Sequence, residues 1–201
     1  MSQSIDRRTQ ILEAALEVFS TKGFHKATNK DIASAAGGMS PGLIYHYFKD
    51  KEDLFISLVR ERATLLQLTE HPDVFMELAP REALSRVANA YLSMFKNATH
   101  VALFRIVITE SIRFPQMGDM LYRVLVSKLF NLIRSYLDLQ VERGVLRPHD
   151  SAIATRSFVG MIMVHVLARE VLRQPEALAV SDEQVISAAV EIFMRGLEHP
   201  A

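Results

Sequence analysis

The segment of residues 28–51, TNKDIASAAGGMSPGLIYHYFKDK, restricts the possible folds of this chain more than any other part of its sequence. Thr28 followed by Asp31 has the spacing of a capping box, so a helix is predicted to begin at Asn29. Gly37 is placed to end that helix, because glycine readily adopts the left-handed conformation found at helix ends. The segment is therefore predicted to open with a short helix and a glycine turn.

Two further helix starts follow in the same segment. Ser40 before Pro41 combines an N-cap residue with a proline at the first helical position. Asp50, with Asp53 three residues later, marks another start. A helix, a tight turn and a second helix form the layout that DNA-reading modules use to place their second helix in the major groove.

The second predicted helix has two different faces. Its apolar side chains, which can pack inward, are Leu43, Ile44 and Phe48. The residues left for other contacts are Gly42, Tyr45, His46 and Tyr47. Aromatic side chains with hydrogen-bond donors, at the front of a short helix, suit contact with phosphates and base edges.

This segment resembles the DNA-binding region of tetracycline-repressor (TetR) family regulators, whose pattern is an apolar first helix, T…DIA..AGVS.G..Y.HF..KE.L, and then a long helical effector domain. The motif match covers residues 8–58. One departure is the turn Gly37-Gly38-Met39-Ser40, which is one residue longer than the family's usual turn and leaves the angle between the two helices open. The resemblance implies a helix-turn-helix DNA-binding domain at 1–50 and a helical effector-binding and dimerisation domain at 51–201.

Carried onto this sequence, the resemblance implies that the following residues contact DNA: Thr28, Asn29, Lys30, Ser40, Gly42, Tyr45, His46, Tyr47 and Lys51. Backbone N–H groups at the start of a helix favour phosphate. The missing side chain at Gly42 allows the backbone to approach DNA closely. Two residues have alternative roles, because Tyr47 can pack inside the module and Thr28 can serve as a cap alone.

Charge is balanced over the whole chain but not within this module. The chain has 23 lysine and arginine residues against 23 aspartate and glutamate residues, and a zero net charge by itself argues against a nucleic-acid partner. Residues 21–49 differ, since they hold one acid against four lysines, Lys22, Lys26, Lys30 and Lys49. Salt screens charges beyond about 8 Å, so a local basic face suffices for phosphate contact.

Apolar residues recur with helical spacing through most of the chain, and no strand, repeat or low-complexity tract is predicted. Besides the two short helices, the predicted helices span residues 7–22, 51–69, 81–96, 101–114, 115–143, 153–173 and 185–197. The predicted fold class is all-α, with about nine helices. The helix at 51–69 is expected to connect the domains, that at 101–114 to be central and buried, and residues 72–80 to form a loop.

An effector pocket would be mostly apolar, with a few polar groups that orient the ligand. By the family resemblance, the residues expected to line it are Tyr91, Met94, Phe95, Phe104, Ile108, Met117, Met120, Leu121, Met161 and His165. Methionines adapt to varied lipophilic ligands, although each of these side chains has core packing as an alternative role. Arg105, Glu110 and Arg113 either anchor a carboxylate ligand or, as a Glu110–Arg113 pair, lie on a solvated edge.

The last two long helices carry stripes of small and apolar residues, which allow helices to approach closely. The residues expected to form a dimer interface are Ser157, Gly160, Met161, Val164, Ala168, Ala189, Ile192 and Gly196. Core packing within one chain is the alternative role. The resemblance favours a homodimer in which these two helices pair with their mates, so that two-fold symmetry matches two half-sites of an operator.

Several kinds of site are not expected. The chain has no cysteine, which excludes disulfides, thiolate metal sites and cysteine nucleophiles. Catalytic and phosphate-binding motifs are absent, and no histidines have metal-ligand spacing, so no enzyme activity, metal or cofactor is predicted. The longest apolar run, residues 157–168, is shorter than the ~20 residues that span a bilayer, and no secretory signal precedes it, so the expected location is cytoplasmic.

These features predict a ligand-responsive transcriptional regulator. It is expected to bind a pseudo-palindromic double-stranded DNA operator as a homodimer, and to be a repressor that a small lipophilic effector releases. Activation instead of repression stays open. The alternatives are a helical dimeric interaction or ligand-binding protein whose longer turn has made the DNA module degenerate, and an enzyme.

Overall fold

The computed structural model describes residues 2–62 and 64–199, and over those residues it confirms the all-α fold class. Twelve α-helices are present there, compared with the nine or so predicted. They are α1 (Ser2–Lys22), α2 (Asn29–Ala35), α3 (Pro41–Tyr47), α4 (Lys51–Arg62), α5 (Pro72–Met76), α6 (Pro80–Ser93), α7 (Ala98–Arg113), α8 (Pro115–Leu121), α9 (Ser127–Glu142), α10 (Ser151–Val166), α11 (Pro175–Ala179) and α12 (Asp182–Leu197).

Short helices account for the difference in number. Residues 72–80 were predicted to be a loop, but α5 occupies the first part of that range, with Pro72 in its first turn. Proline fixes the backbone angle φ near its helical value, which favours a helix start at this position. The single helix predicted at 115–143 is divided into α8 and α9 by a wider helical turn, Tyr122–Val126. α11 was not predicted, and α4 ends at Arg62, ahead of a tighter helical turn.

The packing of the helices divides the chain into two compact units. One unit combines residues 1–63 with residues 98–124, and the other combines residues 64–97 with residues 125–201. α7 and α8 therefore belong to the same unit as the helix-turn-helix. The functional boundary at residue 50 stays a prediction.

The first unit has an aromatic core that holds α1 against the neighbouring helices. The predicted core residues of α1 are all buried: Ile11, Leu12, Ala15, Leu16, Val18 and Phe19. The rings of Phe19, Phe24 and Phe55 lie with centroids 5.1–5.5 Å apart, the separation at which tilted and edge-on aromatic pairs are favourable. Ile32 of α2, Ile44 of α3 and Phe48, which follows α3, are also buried, so both short helices present apolar side chains to the interior.

The expectation that residues 101–114 are central and buried is wrong for most of the helix. In α7, Leu103 and Glu110 are buried, whereas Ile112 is 76% exposed. Within its unit α7 packs against α1 and α8, so one side of the helix is covered. The prediction that Glu110 pairs with Arg113 on a solvated edge is also wrong, because the side chain of Glu110 is buried and its carboxylate lies near His25.

The second unit is a bundle in which α12 packs on α6, and α10 packs on α6, α9 and α12. α12 begins with the predicted capping box between Ser181 and Gln184. The hydroxyl of Tyr136, which is buried, donates a hydrogen bond to the carbonyl oxygen of Leu78 at 2.7 Å. Burial raises the pKa of this phenol to about 12.

α10 is longer than the apolar run in the sequence indicated. It continues through a wider helical turn to Val171, and the 21 residues Ser151–Val171 would suffice to cross a membrane by length and composition. The length argument made from residues 157–168 is therefore wrong. α10 packs against α6, α9 and α12, and the core helix of a soluble protein satisfies the same length and composition criteria.

Candidate nucleic-acid interface

The start of α2 is fixed by the capping box that the sequence predicted. The hydroxyl of Thr28 accepts a hydrogen bond from the backbone N–H of Asp31 at 3.1 Å and donates one to its carboxylate at 2.8 Å. The backbone N–H of Thr28 donates to the same carboxylate at 3.0 Å. Since the hydroxyl hydrogen and the N–H of Thr28 are both used locally, the structure favours the capping role for this residue.

Asp31 also ties α2 to the end of α1. The ammonium group of Lys22 lies 2.7 Å from one carboxylate oxygen of Asp31. Hydrogen bonds from Lys22 and Thr28 hold the pKa of Asp31 at about 2, below its usual value of 3.8. The carboxylate is therefore charged at neutral pH and orients α2 relative to α1.

We expect this ion pair to make stability depend on pH in the acid range. The folded pKa of Asp31 is lower than its unfolded pKa, so its stabilisation is complete above 3.8 and is lost as the pH falls towards 2. The difference in thermal unfolding midpoint between the wild type and Asp31→Asn should shrink over that interval. Asp119→Asn, at an exposed position of α8, is the matched control. A difference that stays constant with pH would contradict the assignment.

Two glycines accommodate the longer turn between α2 and α3. Gly37 and Gly38 both have positive φ, at 86° and 73°, which side-chain-bearing residues rarely adopt. The N–H of Gly38 donates to the carbonyl oxygen of Ser34 at 3.1 Å, and the N–H of Met39 donates to that of Ala33 at 3.0 Å. These bonds satisfy carbonyl groups at the end of α2, so the extra residue is absorbed without breaking the turn.

The front of α3, which is its solvent-facing surface, is exposed, and the helix is capped at its first turn. The side-chain oxygen of Ser40 accepts a hydrogen bond from the N–H of Gly42 at 3.3 Å, as the predicted N-cap requires. Gly42, His46 and Tyr45, which is 60% exposed, face solvent. Tyr47 is half-buried, with its ring centroid 5.2 Å from that of His46. Of the three residues predicted to pack inward, Ile44 and Phe48 are buried and Leu43 is half-buried.

Exposed lysines occur close to α2 and α3 in the sequence. Lys26, Lys30 and Lys49 are exposed and form no ion pair with any other described residue. Lys22 differs because it is paired with Asp31. Lys26 and Lys49 were not among the predicted DNA contacts, although the basic run in the sequence contained the signal for both. Asn29, in contrast, is half-buried, and its Oδ1 is shielded from solvent and has no hydrogen-bond partner among the described residues.

The structure gives Lys51 a different role from the predicted phosphate contact. Its ammonium group donates to the carbonyl oxygens of Phe24, His25 and Ala27 at 2.8, 3.3 and 2.9 Å. It also lies 4.6 Å from the centroid of the Phe24 ring. Three acceptors match the three N–H donors of a lysine, so Lys51 closes the loop before α2 and no donor is left for DNA.

Gly42 provides a test that separates folding from DNA contact. A Cβ added there would lie 3.5 Å from the side-chain oxygen of Ser40, which is an ordinary contact distance, and the position is helical. We therefore expect Gly42→Ala to leave the unfolding midpoint unchanged or slightly raised. If the backbone of α3 approaches DNA here, the same variant should weaken operator binding about tenfold. Equal operator affinity in a fluorescence anisotropy titration would remove Gly42 from the interface.

The predicted effector residues are distributed over both units. Tyr91, Met94, Phe95, Met161 and His165 lie in the unit of residues 64–97 and 125–201. There the hydroxyl of Tyr91 contacts the sulfur of Met163 at 3.1 Å, and burial raises the pKa of this phenol. The Nε2 of His165 is shielded from solvent and has no hydrogen-bond partner in the part of the chain that the structure describes, and burial lowers the pKa of that imidazole.

The remaining predicted effector residues lie in the first unit. Met117 and Leu121 are buried, while Met120, Phe104 and Ile108 are half-buried. Met117 and Met120 share a cavity of about 270 Å³. The other residues that line it are Phe24, His25, Glu52, Phe114, Gln116 and Arg123.

The predicted dimer surface is exposed along one stripe of α10 and one of α12. Val164 and Ile192 are 66% and 65% exposed, unusual values for large apolar side chains. Other predicted interface residues at least partly open to solvent are Ser157, Gly160, Met161, Ala168 and Gly196. The prediction that Ala189 belongs to this surface is wrong, because its side chain is buried within the protomer. Ala188 lies on the exposed stripe instead. Ile153 belongs to the α10 stripe and was missed.

Two family models match the chain. Residues 11–58 match that of bacterial regulatory proteins of the tetR family, and residues 82–196 match that of the C-terminal domain of AefR-like transcriptional repressors. The chain is 29% identical over 198 residues to the uncharacterised HTH-type transcriptional regulator YhgD of Bacillus subtilis (strain 168), covering 95% of this chain and 96% of YhgD.

Solved structures are similar over nearly the whole length. The transcriptional regulator FadR from Bacillus subtilis, in complex with stearoyl-CoA, has a TM-score of 0.73 at 24% identity and covers 94% of this chain and 98% of that one. The flavonoid-responsive regulator FrrA has a TM-score of 0.69 at 28% identity and covers 98% of this chain and 99% of that one.

Proposed function

The chain belongs to the TetR family of bacterial regulatory proteins, and from this membership we propose that it represses transcription by binding a pseudo-palindromic operator as a homodimer. The observation that carries the proposal is the exposed front of α3, where Gly42, Tyr45 and His46 share one solvent-facing surface. Donors on an exposed, capped helix suit base edges and phosphates. A protein that acts on bacterial DNA works in the cytoplasm, which is the location we propose.

Phosphate contacts are assigned to the lysines around α3. Lys26, Lys30 and Lys49 are exposed and carry no competing ion pair within the described residues. Lys26 precedes α2, Lys30 lies in its first turn, and Lys49 follows α3. Each phosphate neutralised by a lysine releases condensed counterions, so binding should weaken steeply as salt rises. Asn29, Ser40 and Tyr47 are proposed to lie at the edge of the same interface.

The exposed stripes of α10 and α12 supply the dimer contact. Ile153, Val164 and Ile192 are large apolar side chains that a protomer leaves in solvent. In a two-fold symmetric dimer the same patch from each copy meets its mate, and burial of the patch supplies the driving force. Two-fold symmetry relates the two copies of α3, so each copy would read one of two symmetry-related half-sites, which is why the operator is proposed to be a pseudo-palindrome. Half-sites read by such dimers lie about 34 Å apart, one turn of DNA.

The effector is proposed to be a small lipophilic or amphipathic compound. Support comes from the methionine and aromatic side chains predicted to contact it, and from the largely buried polar atoms of Tyr91 and His165, which could orient a ligand. Similar proteins include one solved with stearoyl-CoA and one described as flavonoid-responsive. An effector that binds the DNA-free conformation better would lower operator occupancy.

The test is DNA binding by the wild-type chain to the region upstream of its own gene, against a shuffled duplex of equal length, at several salt concentrations. Saturable and sequence-selective binding that weakens with salt supports the proposal. Long-chain acyl-CoAs and flavonoids, added to the complex, then test release. Weak binding that is equal on every duplex, including duplexes selected from random DNA, would instead favour a protein whose module no longer reads DNA.

A further inference from the structure

A buried carboxylate on α7 faces the loop that connects α1 to α2. Glu110 is 4% exposed, and its Oε2 accepts no hydrogen bond from the described residues. The Nε2 of His25, a residue of this loop, lies 3.9 Å from that oxygen. A Cβ added at Gly23 would lie 3.1 Å from Oε1 of Glu110, so the loop backbone also comes close to the carboxylate.

The residue that follows α7 meets the same loop. The ring of Phe114, which lies between α7 and α8, is against the ring of His25 with centroids 3.2 Å apart. The N–H of Phe114 donates a hydrogen bond to the carbonyl oxygen of Glu110 at 2.8 Å, so this residue is tied to the end of α7. The loop is therefore contacted by a carboxylate of α7 and by an aromatic ring directly after that helix.

Lys51 secures the loop from α4. Its ammonium group binds the carbonyl oxygens of Phe24, His25 and Ala27. Burial lowers the pKa of Lys51, and the carboxylates of Glu110 and Glu52 oppose that effect by favouring its charged form. The loop thus lies between a lysine of α4 and a glutamate of α7, and it leads directly to Thr28, the N-cap of α2.

We propose that Glu110 is a positioning residue for DNA binding, which holds the α1–α2 loop, and through it α2, against α7. A core position filled for packing alone would carry an apolar side chain, because burying a charge is unfavourable unless nearby groups compensate. The inference rests on the DNA binding proposed above and places a determinant of it far from the helix-turn-helix in sequence. It also identifies a contact by which a shift of α7 reaches the DNA-reading helices.

The experiment compares Glu110→Gln with Glu52→Gln. Both remove one negative charge near Lys51, but Glu52 is exposed and Glu110 is buried. Operator dissociation constants are measured by fluorescence anisotropy, and unfolding midpoints by circular dichroism. Glu110→Gln should weaken operator binding about tenfold, whereas Glu52→Gln should bind equally well or more tightly, because it removes a charge that repels phosphate. Equal affinities for Glu110→Gln and the wild type would overturn the inference.

A double-mutant cycle with His25→Gln separates positioning from general stability. If Glu110 acts through the loop, the two substitutions should not be additive in operator affinity, and the double variant should bind like the weaker single variant. Strictly additive effects, or losses that follow the unfolding midpoint alone, would count against positioning. His25 is partly exposed, so His25→Gln tests the contact even if Glu110→Gln fails to fold. A wild-type chain that binds no operator would overturn the proposed function instead.

Discussion

Replacing Tyr45 by alanine is expected to abolish high-affinity operator binding while leaving the fold intact. The side chain is 60% exposed at the front of α3 and has no role in the core of its unit. A contact of this type to a phosphate or base edge contributes about 1–3 kcal/mol, and a symmetric dimer loses it in both half-sites. The two contacts together amount to about 2–6 kcal/mol, so we expect a loss of at least about thirtyfold, and up to about 10⁴-fold, in affinity for the specific duplex.

Tyr122→Ala is the matched control for this variant. Tyr122 is also an exposed tyrosine of the same unit, at 53%, but it lies beyond α8 and outside the helix-turn-helix. Anisotropy titrations should show wild-type affinity for Tyr122→Ala, and thermal unfolding should be the same for both variants within about 0.5 kcal/mol. A Tyr45→Ala protein that binds the operator as tightly as the control would remove α3 from the proposed interface.

Aspartate at Val164 or at Ile192 is expected to convert the dimer into monomers. Both side chains are about two-thirds exposed in the protomer, so the single chain should fold as before. In a two-fold interface each substitution introduces two carboxylates into an apolar contact, and each would lose its hydration without a partner. Analytical ultracentrifugation should show the monomer mass over concentrations at which the wild type is a dimer.

The control for this experiment is Val74→Asp, the same chemical change at a valine of α5 that is 54% exposed. It should remain dimeric. The monomeric variants should also lose most of their operator affinity, because a single helix-turn-helix contacts one half-site. Dimers that persist in both Val164→Asp and Ile192→Asp would place the contact between copies elsewhere on the chain.

Local signals in the sequence were sufficient for the helix-turn-helix and its caps. The pairs Thr28 with Asp31, and Ser40 with Pro41, act over a few residues, so their geometry does not depend on the rest of the fold. The glycine pair of the turn is also a local signal, since glycine adopts the left-handed conformation at little cost whatever its surroundings. These features also carried the family resemblance, and with it the prediction of a DNA-binding regulator.

Composition was less informative where it had to predict burial. α7 is apolar on most of its faces, yet Ile112 is exposed and Glu110 is buried. Which face of such a helix is covered depends on its neighbours, α1 and α8 within the unit, and the sequence carries no local record of them. The same reason explains Ala189, which shares its residue type with the exposed Ala188 but faces the core.

The sequence by itself determined the long helices, the caps of α2, α3 and α12, and the family, because each of these follows from residues close together in the chain. The tertiary structure alone decided the partners of the charged side chains. Lys51 was expected to bind phosphate, but the fold brings three carbonyl oxygens of the α1–α2 loop to its ammonium group. Glu110 reaches the same loop from 85 residues beyond His25, a proximity that only the packing of α7 against α1 creates.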